Sequence, residues 1–212
     1  MPASREVRDD ELLSTLATKV RVLSLDQIER TWCHSASDGS AAARRWLATL
    51  ARSGLVEVAT LWARPELSFT EPLATWQPEL PPPDLESVSR LVSTRWCAAA
   101  ERTVCAFATD SGSLRFGGRG SRPPREAEVT HDLHLARVYL LMRESLPTRA
   151  RSWLSEEAVA AERSDRAQKL PDAQVRDGTH ATAIEFAGAY RLAKLLEFHD
   201  FCAGEALAYE LW

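Results

Sequence analysis

The sequence predicts an α+β protein, and three observations support that fold class. The chain has 212 residues, of which 45% are hydrophobic and 26% charged, which suits a sizeable core in one large or two small domains. Helical periodicity in the first third is followed by strand-like runs, and the last third alternates strand-like and helical runs around an Asp-Gly turn. This composition excludes extended disorder, collagen-like repeats and a small disulfide scaffold.

Two stretches of unusual composition divide the chain. Residues 78–83 read Pro-Glu-Leu-Pro-Pro-Pro, and residues 112–125 are rich in glycine and arginine. Because such stretches interrupt regular structure, we expect an N-terminal domain over 1–77, a helical connector with an Arg/Gly-rich loop over 78–125, and a mixed domain over 126–212. No run approaches the roughly 18 consecutive apolar residues of a membrane span, and no secretory signal is visible, so we expect a cytoplasmic protein without membrane contact.

The first segment begins with two predicted helices. Asp9 or Asp10 can cap the first, which carries leucines and a valine at helical spacing. Ser24 or Asp26 can open the second, a short helix over residues 26–32. Aspartate and serine are favoured at these positions because their side-chain oxygens accept hydrogen bonds from free backbone N–H groups.

A third helix and two strand-like runs complete this segment. Ser40 can cap a helix over 41–52, whose apolar residues recur at the spacing of one helix face: Ala43, Trp46, Leu47 and Leu50. Gly54 ends it. The runs 55–63 and 67–76 follow and are predicted to form a hairpin. Three helices followed by a hairpin is the order of a winged helix.

The polar face of the third helix is the candidate contact with double-stranded DNA. A winged helix presents this face to the major groove, and the N-terminus of the helix offers N–H groups to phosphate. The net charge is −4, and residues 126–212 carry ten basic and fifteen acidic side chains, so DNA contact requires local basic patches. The alternative is a winged helix that binds protein, with solvated arginines. The polar residues are Ser40, Arg44, Arg45, Thr49 and Arg52.

The connector carries a second candidate basic surface. A helical pattern covers residues 85–96, and the short apolar run 102–109 is either a strand or a continuing helix. The Arg/Gly-rich loop that follows is either a mobile arm that contacts phosphate or a solvated linker. Its candidate residues are Arg115, Arg119, Arg122 and Arg125.

The last segment reads in the order α-β-β-β-α-β. Thr130 can cap a helix that is apolar almost all round, and a second helix covers 190–202. Asp177-Gly178 is a strong hairpin turn signal. The predicted strands cover residues 149–156, 171–176, 179–187 and 206–212.

Two carboxylates on the predicted hairpin form a candidate catalytic site. Along the second strand, Glu185 shares a face with the small residues Ala183 and Ala187, because successive side chains alternate between faces. Asp172 lies across the hairpin. Two carboxylates on adjacent strands are suitable ligands for a hard divalent ion, and such an ion polarises a phosphodiester and activates water.

These residues and this order resemble a known nuclease superfamily. Pro171-Asp172 and Glu185-Phe186-Ala187 within an α-β-β-β-α-β order are similar to the PD-(D/E)xK superfamily. The whole chain resembles the replication-relaxation family of plasmid- and mobile-element-associated proteins, in which a winged helix precedes a degenerate restriction-endonuclease-like domain. Besides the winged-helix order, the matching segments are 116–118, 130–134, 169–173 and 184–188.

The chain departs from the superfamily's pattern at one position. The lysine two residues after the glutamate, which assists the attacking water, is replaced by Ala187. Arg191 or Lys194 on the following helix is the candidate substitute cation. The acid expected from the first helix of this domain stays open among Glu128, Asp132 and Glu144.

The resemblance implies a DNA-binding protein that acts in replication, mobilisation or defence of a mobile element, together with partner proteins. Its nuclease-like domain would be non-catalytic and would require no cofactor. A first alternative is a metal-dependent DNA endonuclease that uses Asp172 and Glu185 to hold Mg²⁺ or Mn²⁺. A second alternative is a protein-interaction adaptor that never contacts DNA.

Overall fold

The computed structural model describes residues 5–33, 38–121, 123–162, 170–178 and 180–212. Contacts divide the chain into two compact units, and each unit contains two separate stretches of sequence. Unit 1 comprises Met1–Ala63 with Ala100–Leu140, and unit 2 comprises Arg64–Ala99 with Leu141–Trp212. The three consecutive segments predicted from composition cut the chain differently, and their status as separate domains stays a prediction.

The described residues form a mixed α+β fold with nine α-helices and two open sheets. In those ranges no helix is long and apolar enough to cross a membrane. The helices are α1 Arg5–Thr18, α2 Leu25–Ile28, α3 Gly39–Arg52, α4 Leu85–Thr94, α5 Asp110–Arg115, α6 Val129–Ser145, α7 Pro147–Arg151, α8 Glu156–Glu162 and α9 Leu192–Gly204. The strands are β1 Leu23–Ser24, β2 Val56–Ala63, β3 Ala74–Trp76, β4 Glu101–Ala108, β5 Leu154–Ser155, β6 Ala173–Asp177, β7 His180–Glu185 and β8 Ala208–Leu211.

The first two helices of unit 1 differ in how well their predicted starts hold. The prediction that Asp9 or Asp10 caps α1 is wrong, because the helix begins at Arg5 and both aspartates lie inside it. Ser24 caps α2 as predicted, in a reciprocal capping box with Gln27, and a π-helical turn over Glu29–Cys33 continues it. The prediction that Ser40 caps α3 is wrong. That helix begins two residues earlier, because the carbonyl oxygen of Asp38 already accepts from the N–H of Ala42 at 2.9 Å.

The sheet of unit 1 has three antiparallel strands in the order β1-β4-β2. The register of β2 against β4 runs from Val56 opposite Ala108 to Ala63 opposite Glu101. The predicted hairpin between 55–63 and 67–76 is therefore wrong. Residues 101–108, for which strand and helix both stayed open, supply the partner strand, and β3 pairs in the other sheet.

The start of α6 is tied to unit 1 by a small core and an ionic cluster. Val129 and Leu133 pack with Val22 and Cys105. One guanidinium nitrogen of Arg21 lies 3.2 Å from Glu128 and 3.0 Å from Asp132. Both of these candidate acids are therefore engaged in an ion cluster within unit 1.

The first residues of the Arg/Gly-rich run belong to α5, and two of its glycines pack closely against backbone. Thr109 caps α5 by accepting from the N–H of Gly112. A Cβ atom on Gly112 would lie 2.0 Å from the carbonyl oxygen of Leu55, and one on Gly118 would lie 2.4 Å from that of Ala17. The glycines therefore permit close backbone packing, which an exposed linker would not need.

The sheet of unit 2 has five strands in the order β3-β8-β7-β6-β5. The predicted hairpin over 170–187 is confirmed, since β6 and β7 pair antiparallel and Gly178 has the positive φ of 59° that its turn requires. After α9 the chain adds β8 parallel to β7. The predicted strand over 149–156 is mostly wrong, because Pro147 starts α7 and only two residues form β5.

Helices α4 and α9 pack on one face of this sheet. Their buried apolar side chains form a core with alternate residues of β7 and β8. The arrangement fixes which residues of β7 point toward the helices. The core includes Val88, Val92, Ala183, Ala187, Leu195, Phe198, Tyr209 and Leu211.

Candidate functional site

The two predicted carboxylates meet at the open end of the β6–β7 hairpin. Ala173 lies opposite Ile184, so Asp172 and Glu185 are the next pair along the antiparallel register. Each carboxylate accepts a hydrogen bond from a backbone N–H group across the hairpin. The N–H of Asp172 donates to Glu185 Oε2 at 3.3 Å, and the N–H of Phe186 donates to Asp172 Oδ2 at 2.8 Å. The pair therefore links the two strands where their ladder ends.

Glu185 is a buried carboxylate with two small residues beside it. Its side chain shares a face with Ala183 and Ala187, both of which belong to the core under α4 and α9. Glu185 is only 2% exposed. Burying a carboxylate costs folding free energy unless hydrogen bonds compensate it. The groups that donate hydrogen bonds to Glu185 therefore matter for the stability of the fold.

Tyr190 also belongs to this site, although no sequence pattern indicated it. Its hydroxyl donates to Glu185 Oε1 at 2.8 Å. Burial, followed by the nearby Glu185 and Asp172 carboxylates, raises the pKa of Tyr190 far above its usual range, so the phenol stays a donor. Tyr190 lies five residues after Glu185 in the turn before α9, and no periodic pattern marks it.

The two candidate replacement cations lie beside this tyrosine in the chain. Lys194 Nζ lies 3.4 Å from the centroid of the Tyr190 ring, which is a cation–π distance. Arg191 occupies the N-cap position of α9 and is exposed. The ammonium group of Lys194 is therefore positioned on the tyrosine ring.

Among the described residues, three protein groups donate hydrogen bonds to the two carboxylates. Glu185 accepts from Tyr190 and from the N–H of Asp172, and Asp172 accepts from the N–H of Phe186. Within the described ranges, no three histidine, cysteine, aspartate or glutamate side chains gather as metal ligands.

The second candidate surface is the outer face of α3. Ala43, Trp46, Leu47 and Leu50 are buried, as their spacing predicted. The side chains of Ser40, Arg44, Arg45 and Arg52 are exposed, and Thr49 is half-buried.

Two contacts order the arginines of α3. Arg45 makes a long ion pair of 3.7 Å with exposed Asp38. Arg52 donates to the Thr49 hydroxyl at 3.3 Å. Neither contact buries its guanidinium group, so both remain accessible to a ligand.

The remaining predicted arginines are scattered over unit 1. Arg115 and Arg119 are exposed near α5. Arg125 is exposed and lies 3.7 Å from Glu128. Arg122 lies outside the described residues, as does Lys169 of the matching segment 169–173.

Comparison with known proteins adds no relative. No protein-family model matches the chain, and neither the curated proteins nor the solved structures give a significant match.

Proposed function

We propose that unit 1 is a winged helix that binds double-stranded DNA through α3. The order α1-β1-α2-α3 is followed by the antiparallel pair β2 and β4, and β1 lies against β4. In this proposal β2 and β4 form the hairpin of the winged helix, and residues 64–100 are inserted between them.

The exposed arginine face of α3 is the observation that carries the proposal. The helix contains three arginines and no acidic residue. Arg45 and Arg52 are seven residues apart, so they lie on one face two turns apart. Arginine suits this role because its planar group donates two hydrogen bonds to a phosphate or to guanine. The exposed Arg45–Asp38 pair contributes little to stability and is easily exchanged for a phosphate contact.

Unit 2 takes the part of the nuclease-like domain in this proposal, without catalysis. Its elements β5, β6, β7, α9 and β8 follow the β-β-β-α-β part of the pattern, with α7 and α8 added. The first helix of the pattern, α6, lies mostly in unit 1. The carboxylates of Asp172 and Glu185 accept hydrogen bonds from protein groups, and Ala187 stands in place of the superfamily's lysine. The chain would therefore bind DNA without cleaving it, in the cytoplasm, together with proteins of a mobile-element system.

DNA binding is tested by replacing Arg44, Arg45 and Arg52 together with alanine. Duplex DNA is titrated by fluorescence anisotropy at several salt concentrations. The slope of log K against log salt should fall by about 0.9 for each phosphate that the variant no longer binds. Arg151→Ala, at an exposed arginine of unit 2, is the control and should leave the slope unchanged. An unchanged slope in the triple variant would remove α3 from the interface, and no binding at low salt by the wild type would favour the adaptor.

Catalysis is tested separately with supercoiled plasmid and Mg²⁺ or Mn²⁺. We expect no nicking above the level of an Asp172→Asn, Glu185→Gln double variant, because Ala187 stands where the superfamily has its lysine. Electrostatic groups of that kind contribute about 10²–10³ in rate. Nicking by the wild type that the double variant lacks would establish the endonuclease alternative instead.

A further inference from the structure

Strand β2 is an unusually open edge. It has eight residues and β4 on one side, and in the described part of the chain no strand pairs with its other side. The edge strands of the second sheet have only three and two residues. Short edges of that kind prevent pairing with other chains, whereas a long one invites it.

The side chains of β2 also lack the residues that block edge pairing. The strand contains no proline and no lysine, and Glu57 is its only charged residue. Val58 and Trp62 are 39% and 52% exposed although both are large and apolar. With Thr60 they lie on the same face of the strand, because alternate residues share a face.

We propose that the β2 edges of two copies of this chain pair antiparallel about a twofold axis at Thr60, and so form a homodimer. A twofold axis perpendicular to the sheet does not turn either copy over, so the same face of β2 points to the same side in both copies. Since even-numbered residues share one face, even-numbered residues of one copy must lie opposite even-numbered residues of the other. With the axis at Thr60, Val58 of each copy lies opposite Trp62 of the other, and the two Thr60 residues face each other.

This register suits the side chains on both faces. Pairs of aromatic with β-branched residues and pairs of threonines are among the stabilising cross-strand pairs. On the other face, Ala59 lies opposite Leu61 and Glu57 lies opposite Ala63, so no two like charges meet. The interface is small, and we expect a dissociation constant in the micromolar range.

The first test is sedimentation velocity of the full chain over a concentration series. The wild type should show a monomer–dimer equilibrium. Val58→Lys removes both Val58–Trp62 pairs of the dimer and should raise its dissociation constant roughly 2- to 30-fold. Leu114→Lys changes a leucine of α5 that is 65% exposed and should leave the equilibrium unchanged. Circular dichroism checks that both variants are folded.

The second test is disulfide crosslinking, which does not depend on weakening the edge. Cys97, the exposed cysteine, is first replaced by serine. In that background Thr60→Cys should crosslink two copies readily, because opposed Cα atoms lie about 4.5–5.5 Å apart. Ala59→Cys is the matched control. In this register Ala59 lies opposite Leu61 of the other copy, so the two introduced cysteines are diagonal neighbours and should crosslink much more slowly. A wild type that stays monomeric at high concentration, or equal crosslinking of both variants, would overturn the proposal.

Discussion

Replacing Tyr190 with phenylalanine removes one hydroxyl and leaves the shape of the side chain intact. The change deletes the donor to Glu185 Oε1, a bond of 2.8 Å to a carboxylate that is 2% exposed. A hydrogen bond to a charged group contributes about 1.5–3 kcal/mol. The free energy of unfolding should fall by that amount, which lowers Tm by roughly 3–12 °C for a chain of this size.

Urea denaturation followed by circular dichroism and tryptophan fluorescence measures the decrease. Tyr209→Phe is the matched control in the same unit, because the Tyr209 hydroxyl pairs with a ring nitrogen of His199 at 3.1 Å instead of a carboxylate. A typical hydrogen bond of that kind contributes only about 0.5–1.5 kcal/mol. If Tyr190→Phe destabilises the protein no more than the control does, Tyr190 does not support a buried Glu185 anion.

The alkaline limb of the stability curve provides an independent check on Tyr190. Burial and the neighbouring carboxylates raise its pKa in the folded protein, whereas the unfolded tyrosine ionises near pH 10, its ordinary value being about 10. The stabilising effect is therefore complete below pH ~10 and is lost as the pH rises further. Tyr190→Phe should flatten the fall in stability above that pH. An unchanged slope would place the phenol in solvent.

Two further predictions concern packing and thiols. Gly112→Ala places a Cβ atom 2.0 Å from a backbone oxygen and should lower the free energy of unfolding, measured by urea denaturation, by at least about 1–3 kcal/mol. Gly204→Ala is the control, because the space around Gly204 is open, and should be nearly neutral. Equal stability of the two variants would contradict the close approach at Gly112. Among the four cysteines, Cys97 is exposed, while burial raises the pKa of Cys105 to about 11. One thiol should therefore react rapidly with a disulfide reagent in the folded protein, and rapid reaction of two or more would contradict the burial.

Local signals predicted the elements whose determinants lie within a few residues of each other. Asp177-Gly178 predicted a hairpin because only a few residues tolerate its turn geometry, and that hairpin's register places Asp172 beside Glu185. The apolar spacing of α3 likewise predicted its buried face. Such features require no knowledge of the rest of the chain.

The wrong hairpin and the missed tyrosine both involve contacts that no local pattern in the sequence marks. The run 67–76 was predicted to pair with β2 because it is the next strand-like run in the sequence. The strand that does pair with β2 is β4, which follows the whole inserted stretch 64–100. Tyr190 gave no signal, since one tyrosine in a turn has no period and its role depends on the buried carboxylate it meets. Non-local pairing of this kind is determined by the packing of the whole unit.

The pairing of β3 with β8 has a consequence for biosynthesis. Ala74 and Leu211 face each other across the sheet although more than half of the chain separates them. During translation β3 leaves the ribosome long before β8, so the five-stranded sheet cannot be completed until β8 has been made. Such distant pairings slow folding, because the entropy of closing a long loop is given up before the strands meet. In a nascent chain, β3 therefore lacks its partner strand for most of synthesis.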